Sequence, residues 1–159
     1  MKKMIDLPFN IKSSKQAIVF IGIQASGKST FYKNLLYEHG YVHINLDTLR
    51  TRKKEEMLLN ECFNQKASFV IDNTNPTIED RKKYILKAKQ YEYEVIGVFF
   101  QSILKDCIAR NENRGTSLPA HAIAYTQKRL QIPEYTEGFD KLFFVKLNET
   151  GFEITNWKI

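Results

Sequence analysis

Cysteine is almost missing from this chain: Cys62 and Cys107 are the only two in 159 residues. Two thiols at that spacing match no metal-ligand pattern and build no disulfide framework, so they read as reduced packing residues. Proline (4) and glycine (7) are sparse. No linker, repeat or low-complexity segment interrupts the chain, which suits one domain with one sizeable core. No stretch approaches the roughly 20 apolar residues that a membrane helix needs. The start Met1-Lys-Lys-Met-Ile-Asp-Leu-Pro8 is basic, but Asp6, Pro8 and Asn10 break any signal-like apolar segment. The expectation is a cytoplasmic protein with no membrane partner. His39, His43 and His121 form no cluster in the sequence and suggest no chemistry.

What is present is a globular composition, 43% hydrophobic and 13% aromatic. Lys and Arg outnumber Asp and Glu by 24 to 18, a formal charge of +6. That surplus fits an anionic partner, and a nucleotide alone would satisfy it. The strongest signal is Gly22-Ile-Gln-Ala25-Ser26-Gly27-Lys28-Ser29-Thr30, the phosphate-binding loop G-x-x-x-x-G-K-[ST]. An apolar, β-branched run, residues 17–23, precedes it as a buried parallel strand should. Residues 30–38 follow as a helix, with Leu35 and Leu36 turned inward. Glycines let successive backbone N–H groups converge, and the helix start adds its dipole. Lys28 then reaches β- and γ-phosphates, and the Ser29 hydroxyl ligates Mg²⁺. The implied ligands are ATP and Mg²⁺.

The remainder alternates strand and helix. Strands are expected at residues 41–46, 67–71, 94–100 and 141–147, and a last one at 152–157 after a turn at 148–151. Helices are expected at 51–65, with Met57, Leu58 and Cys62 on one face, and at 77–91, opened by a capping box from Thr77 to Asp80. Two more are expected at 102–112 and 119–130. Gly40 reads as a helix C-cap. This is an α/β pattern: a five-stranded, mostly parallel sheet with helices on both faces. Residues 1–15 form a polar, lysine-bearing lead-in, with a short strand expected at Met4–Leu7. Residues 16–159 form a single domain.

Ligands of such sheets bind beyond the C-terminal strand ends. Three ends carry candidates: the glycine loop, Asp47, and Asp72 to Asn75. Asp72 follows Phe-Val-Ile as a Walker B aspartate does, placing it on the metal; its bland alternative is a carboxylate bonding its own turn. Asn73 stands where many ATP hydrolases have glutamate, which argues against a remodelling ATPase. Asp47 suits a general base for an acceptor hydroxyl and equally suits a helix N-cap. Arg50, Arg52, Lys53 and Lys54 fit acceptor phosphates or a solvated helix face, and Glu55 and Glu56 favour the latter for the lysines. Arg110 and Arg114 share a helical face, with Gly115 as a hinge. They fit a lid that closes over triphosphate, or an ordinary helix end. No Asn-Lys-x-Asp string occurs, which argues against a GTPase switch.

These blocks together resemble the kinase domain of the polynucleotide 5′-hydroxyl kinases. The matching pieces are the phosphate loop, Ile-Asn-Leu-Asp-Thr-Leu-Arg around Asp47, Ile-Asp-Asn-Thr-Asn-Pro at Asp72, Arg-Asn-Glu-Asn-Arg-Gly-Thr at Arg110–Arg114, and Pro133-Glu-Tyr-Thr-Glu-Gly-Phe139. The resemblance runs from about residue 17 to 147. It implies a P-loop kinase fold with a small arginine-bearing lid. It implies transfer of the ATP γ-phosphate to a DNA or RNA 5′-hydroxyl. Lys28 and Ser29 would handle phosphates and Mg²⁺, and Asp72 the metal's water shell. Asp47, next to the loop strand in that arrangement, would be the base. Arg50 would hold the acceptor's neighbouring phosphate, and Arg114, assisted by Arg110, the transferring one. Leu46 replaces a basic residue of the phage enzyme, so acceptor binding is expected to differ. A fused phosphatase is not expected. Two alternatives stand beside this reading: a kinase of a small metabolite or nucleoside, and a nucleotide hydrolase or switch without an acceptor.

Overall fold

The computed structural model describes residues 7–114 and 118–158. The hinge read at Gly115 lies outside them, as does all but Leu7 of the strand read at Met4–Leu7. Six strands form one sheet in the order β2-β3-β1-β4-β5-β6. They are β1 (Gln16–Ile21), β2 (Val42–Ile44), β3 (Phe69–Ile71), β4 (Glu94–Phe100), β5 (Lys141–Asn148) and β6 (Gly151–Asn156). The first five run parallel, and β6 pairs antiparallel with β5. The sheet has six strands against the five expected, because the last strand, read after the turn at 148–151, joins the sheet by pairing with β5.

β1 is buried along its whole length, and its side chains alternate between two cores. Ala17, Val19 and Ile21 face one, with Leu59, Cys62, Phe63, Tyr84 and Ile85. Ile18 and Phe20 face the other, with Phe31, Tyr32, Leu36, Val98 and Phe100. The first core lies under α3 (Arg52–Gln65) and α4 (Ile78–Gln90). A period-two strand buried on both sides is what a helix-covered parallel sheet requires. Phe9 joins the second core and stacks on Phe143, so the lead-in is fastened to the sheet. A third, small cluster of Ile23, Ala25, Cys107 and Ile123 seats α5 (Leu104–Glu112) and α6 (Ala120–Arg129) beside the loop.

Local signals behave as their chemistry dictates. Thr77 and Asp80 form the reciprocal capping box of α4. Gly40 takes the left-handed conformation at a helix end, φ 75°. The segment after the loop is less regular than expected. A short α1 (Lys28–Phe31) passes into a π-helical turn at Tyr32–Leu36 and then a 3₁₀ turn at Tyr37–His39. Met57, assigned to the inner face of α3, is 62% exposed. The inner positions are Glu55, Leu59, Cys62 and Phe63, a spacing of four, three and one that marks a single helical face.

Candidate active site

The loop between β1 and α1 turns on two positive-φ residues, Ala25 (φ 62°) and Gly27 (φ 103°). Such alternation brings successive N–H groups into one concavity, the geometry that receives phosphate. Gly22 is required for a different reason. A Cβ there would stand 2.8 Å from Ser26 Oγ and 3.0 Å from Phe100 Cβ. Lys28 is 9% exposed, and its Nζ donates to the carbonyl oxygens of Gly22 (3.0 Å) and Ile23 (2.8 Å). Burial lowers its pKa from the usual 10.5 to about 8, against the opposing pull of Asp72.

Ser29, the second residue of α1, donates its hydroxyl to Asp72 Oδ2 at 2.8 Å. His43 Nε2 meets the same oxygen at 2.7 Å. Asp72 is 2% exposed, and a buried polar group needs hydrogen-bond partners of this kind. A hydroxyl and a carboxylate in contact are hard oxygen donors of the kind Mg²⁺ takes alongside phosphate oxygens, so these residues fit the metal. Among the described residues no group of three or more His, Cys, Asp or Glu could hold a metal by itself.

The block Asp72-Asn-Thr-Asn75 works as a backbone fastener. Thr74 O accepts from Gly22 N, and Asn75 Nδ2 donates to Phe20 O, which ties the glycine loop to β3. On the other side, Asn73 Oδ1 accepts from Leu46 N, and Asn45 Nδ2 donates to Asp72 O. Asn45 also caps α2 (Leu46–Leu49) by accepting from Thr48 N. Asp47 therefore sits in the first turn of a short helix whose start is pinned to the end of β3. It caps nothing: Asn45 caps α2 and Thr51 caps α3. Its expected neighbourhood needs one correction. β2 pairs with β3, and β3 lies between β2 and the loop strand β1.

A cleft of about 630 Å³ gathers Ala25, Lys28, Ser29, Asp47, Asp72 and Arg114 on its lining. Gly22, Ser26, Gly27, Thr30, Arg50 and Arg110 are not on that lining. Arg110 instead braces the loop, donating to Ala25 O at 2.9 Å. Arg50 is exposed and ends α2 with φ 76°. Lys83 and Arg129 are cleft residues that the sequence reading passed over, and Arg52, read there as fitting acceptor phosphates or a solvated face, also lines the cleft. Glu55, expected on a solvated face, is buried and accepts from Tyr84 OH (2.8 Å) and Asn73 Nδ2 (3.0 Å). Arg81 is fully buried. It grips Glu137 with two hydrogen bonds and donates to Asn75 O and Pro76 O. That explains the Pro133–Phe139 block: its glutamate neutralises the cation that holds the Asn75–Pro76 turn.

Residues 18–61 match the AAA domain family. The bifunctional polynucleotide phosphatase/kinase of Schizosaccharomyces pombe is 34% identical over 141 residues, covering 83% of this chain and 34% of its own. The chain is a relative of the polynucleotide phosphatase/kinases. A putative bifunctional polynucleotide phosphatase/kinase of Acanthamoeba polyphaga mimivirus agrees, at 34% over 149 residues, 88% of this chain and 35% of its own. The chain thus spans about a third of the length of these polynucleotide phosphatase/kinases. Among solved structures, Kti12 of Chaetomium thermophilum in complex with ADP-AlF3 superposes with a TM-score of 0.66 at 16% identity, over 84% of this chain and 91% of that one. The fold is that of the P-loop kinases and related nucleotide-binding proteins. No helix among the described residues is long and apolar enough to cross a membrane.

Proposed function

We propose that this chain transfers the γ-phosphate of ATP, with Mg²⁺, to the 5′-hydroxyl end of DNA or RNA, and that residues 16–159 are the kinase domain behind a lead-in of residues 1–15. The observation that supports it best is the meeting of Lys28, the Ser29–Asp72 pair, Asp47 and Arg114 in one cleft. The polynucleotide kinase names of the relatives supply the acceptor class.

In this reading the loop N–H groups and Lys28 hold the β- and γ-phosphates. Ser29 and Asp72 would hold Mg²⁺, which would neutralise charge on the phosphate oxygens. Asp47 orients the acceptor hydroxyl and takes its proton as the new P–O bond forms and the bond from the γ-phosphorus to the bridging oxygen breaks, releasing ADP. An exposed carboxylate fixed by a capped turn suits that task, because it is placed without being buried. Arg114 balances charge on the transferring group. Arg110 acts from behind by fixing the Ala25 carbonyl. Arg50, exposed and off the cleft lining, meets the acceptor backbone.

The test is incubation with labelled ATP, Mg²⁺ and 5′-hydroxyl oligonucleotides. Label should appear at the 5′ end of the oligonucleotide. Label on small hydroxyl compounds alone would favour a metabolite kinase, and phosphate release without any acceptor would favour a hydrolase.

A further inference from the structure

His43 stands outside every motif of the sequence, yet it touches the centre of the metal pair. It lies in the middle of β2 between Val42 and Ile44. Its Nε2 is 2.7 Å from Asp72 Oδ2, the oxygen that also accepts from Ser29 Oγ at 2.8 Å. A ring nitrogen facing a carboxylate oxygen at that distance donates its N–H. The Asp72 side chain is 1% exposed and that of His43 29%, and of the two it is Asp72 that lines the cleft.

The ring itself is held. It stacks on Tyr32, with centroids 4.1 Å apart and planes at 11°. Tyr32 is fixed in turn by donating its hydroxyl to Tyr41 O at 2.7 Å. Burial raises the Tyr32 pKa, which keeps the phenol protonated as that donor. Tyr32 belongs to the π-helical turn directly after α1, the helix that presents Ser29. A closed chain of contacts therefore joins the loop helix, β2 and the end of β3: Ser29 to Asp72, Asp72 to His43, His43 to Tyr32, and Tyr32 back along the helix to Ser29.

We infer that His43 is a positioning residue for the Ser29–Asp72 pair, fixing the Asp72 carboxylate so that it presents one orientation to Mg²⁺ bound with nucleotide. This rests on the metal role given to Ser29 and Asp72 above. One hydroxyl donor leaves a carboxylate free to turn about its side-chain bond. A second donor from a different strand, on the same oxygen, removes that freedom. A residue serving only to fill β2 would need the stacking on Tyr32 and not the N–H. Partners of this kind behind metal-binding carboxylates are worth about 10–100-fold in metal affinity or activity.

The test separates stacking from hydrogen bonding. His43→Phe keeps a ring for Tyr32 and loses the donor. His43→Gln keeps a donor and loses the ring. His43→Met matches glutamine in length without a donor, and serves if the phenylalanine variant does not fold. Calorimetric titration of ADP with and without Mg²⁺ is the readout, beside end-labelling at varied Mg²⁺. The expected result is unchanged binding of ADP alone in all variants. Affinity for Mg²⁺ with ADP should fall about 10–100-fold in His43→Phe and His43→Met and stay near wild type in His43→Gln. Wild-type Mg²⁺ affinity in His43→Phe or His43→Met would overturn the inference. So would an equal loss in the glutamine and methionine variants. If wild-type protein binds ADP equally with and without Mg²⁺, the metal role of Ser29 and Asp72 fails first, and the inference fails with it.

Discussion

Lys28 should couple nucleotide binding to proton uptake. Burial brings its pKa from 10.5 to about 8, a gap equivalent to about 3 kcal/mol. A bound polyphosphate places negative charge on the ammonium and returns the pKa upward. Above pH 8 the free protein therefore holds Lys28 increasingly neutral, and binding must first restore the proton. Affinity for ADP should fall by about tenfold per pH unit above 8, or roughly 25-fold between about pH 7.5 and about pH 9.5. Calorimetry near pH 9 in two buffers of different ionisation enthalpy should report uptake of about 0.9 proton per nucleotide. The stability of the nucleotide-free protein should show the opposite sign. Between about pH 8 and 10.5 the unfolded chain holds a proton that the folded chain has lost, so stability gains a rising contribution with pH across that window. Below it the burial penalty of the charged lysine is fully present. A flat ADP affinity from about pH 7.5 to about pH 9.5 would refute the reasoning, because it would mean that Lys28 keeps its charge without phosphate.

Three further outcomes follow from the same geometry. Arg114→Ala should lower the transfer rate by about 10³–10⁵ while changing ATP affinity little, measured as kcat against ATP Kd; a surface arginine would alter neither. Arg50→Ala should reduce the salt dependence of oligonucleotide binding by about one phosphate contact in a plot of log affinity against log salt. An unchanged slope would remove Arg50 from the acceptor path. Glu137→Ala should cost about 3–5 kcal/mol in urea unfolding, since it leaves Arg81 buried without its counter-charge; a loss under about 1 kcal/mol would show that the cation finds water.

The parts of the site set by local spacing were legible in the sequence. The loop, the α4 capping box and the Gly40 cap each depend on residues a few positions apart, and each is found in place. The unbroken apolar run at residues 17–23 likewise announced a strand buried on both faces. What depends on strand order was not legible. Nothing in the spacing of His43 and Asp72 shows that β2 lies against β3 instead of β1, and that pairing is what brings the two side chains together. Asp47 was ambiguous between base and cap because either role suits an aspartate after a strand. In the structure Asn45 and Thr51 occupy both cap positions, so the cap role falls away and the base role stands as the proposal. The inner face of α3 was misread for a chemical reason. Glu55 looked like a solvent-facing residue but is buried against Tyr84 and Asn73, so the apolar stripe appeared to start at Met57. Arg81 was hidden in the same way, since a fully buried cation reads from sequence as part of a charged surface.

The most direct test of the central claim is γ-phosphate transfer from ATP to a 5′-hydroxyl oligonucleotide by wild-type protein and by Asp47→Asn. Asparagine keeps the shape of Asp47 in the first turn of α2 but accepts no proton, and Asp47 makes no cap that the change would disturb. Wild-type protein should label the 5′ end. Asp47→Asn should bind Mg·ATP normally and lose about 10²–10⁴ in transfer rate. Failure of the wild type to label any 5′ end, or near wild-type labelling by folded Asp47→Asn, would contradict the account.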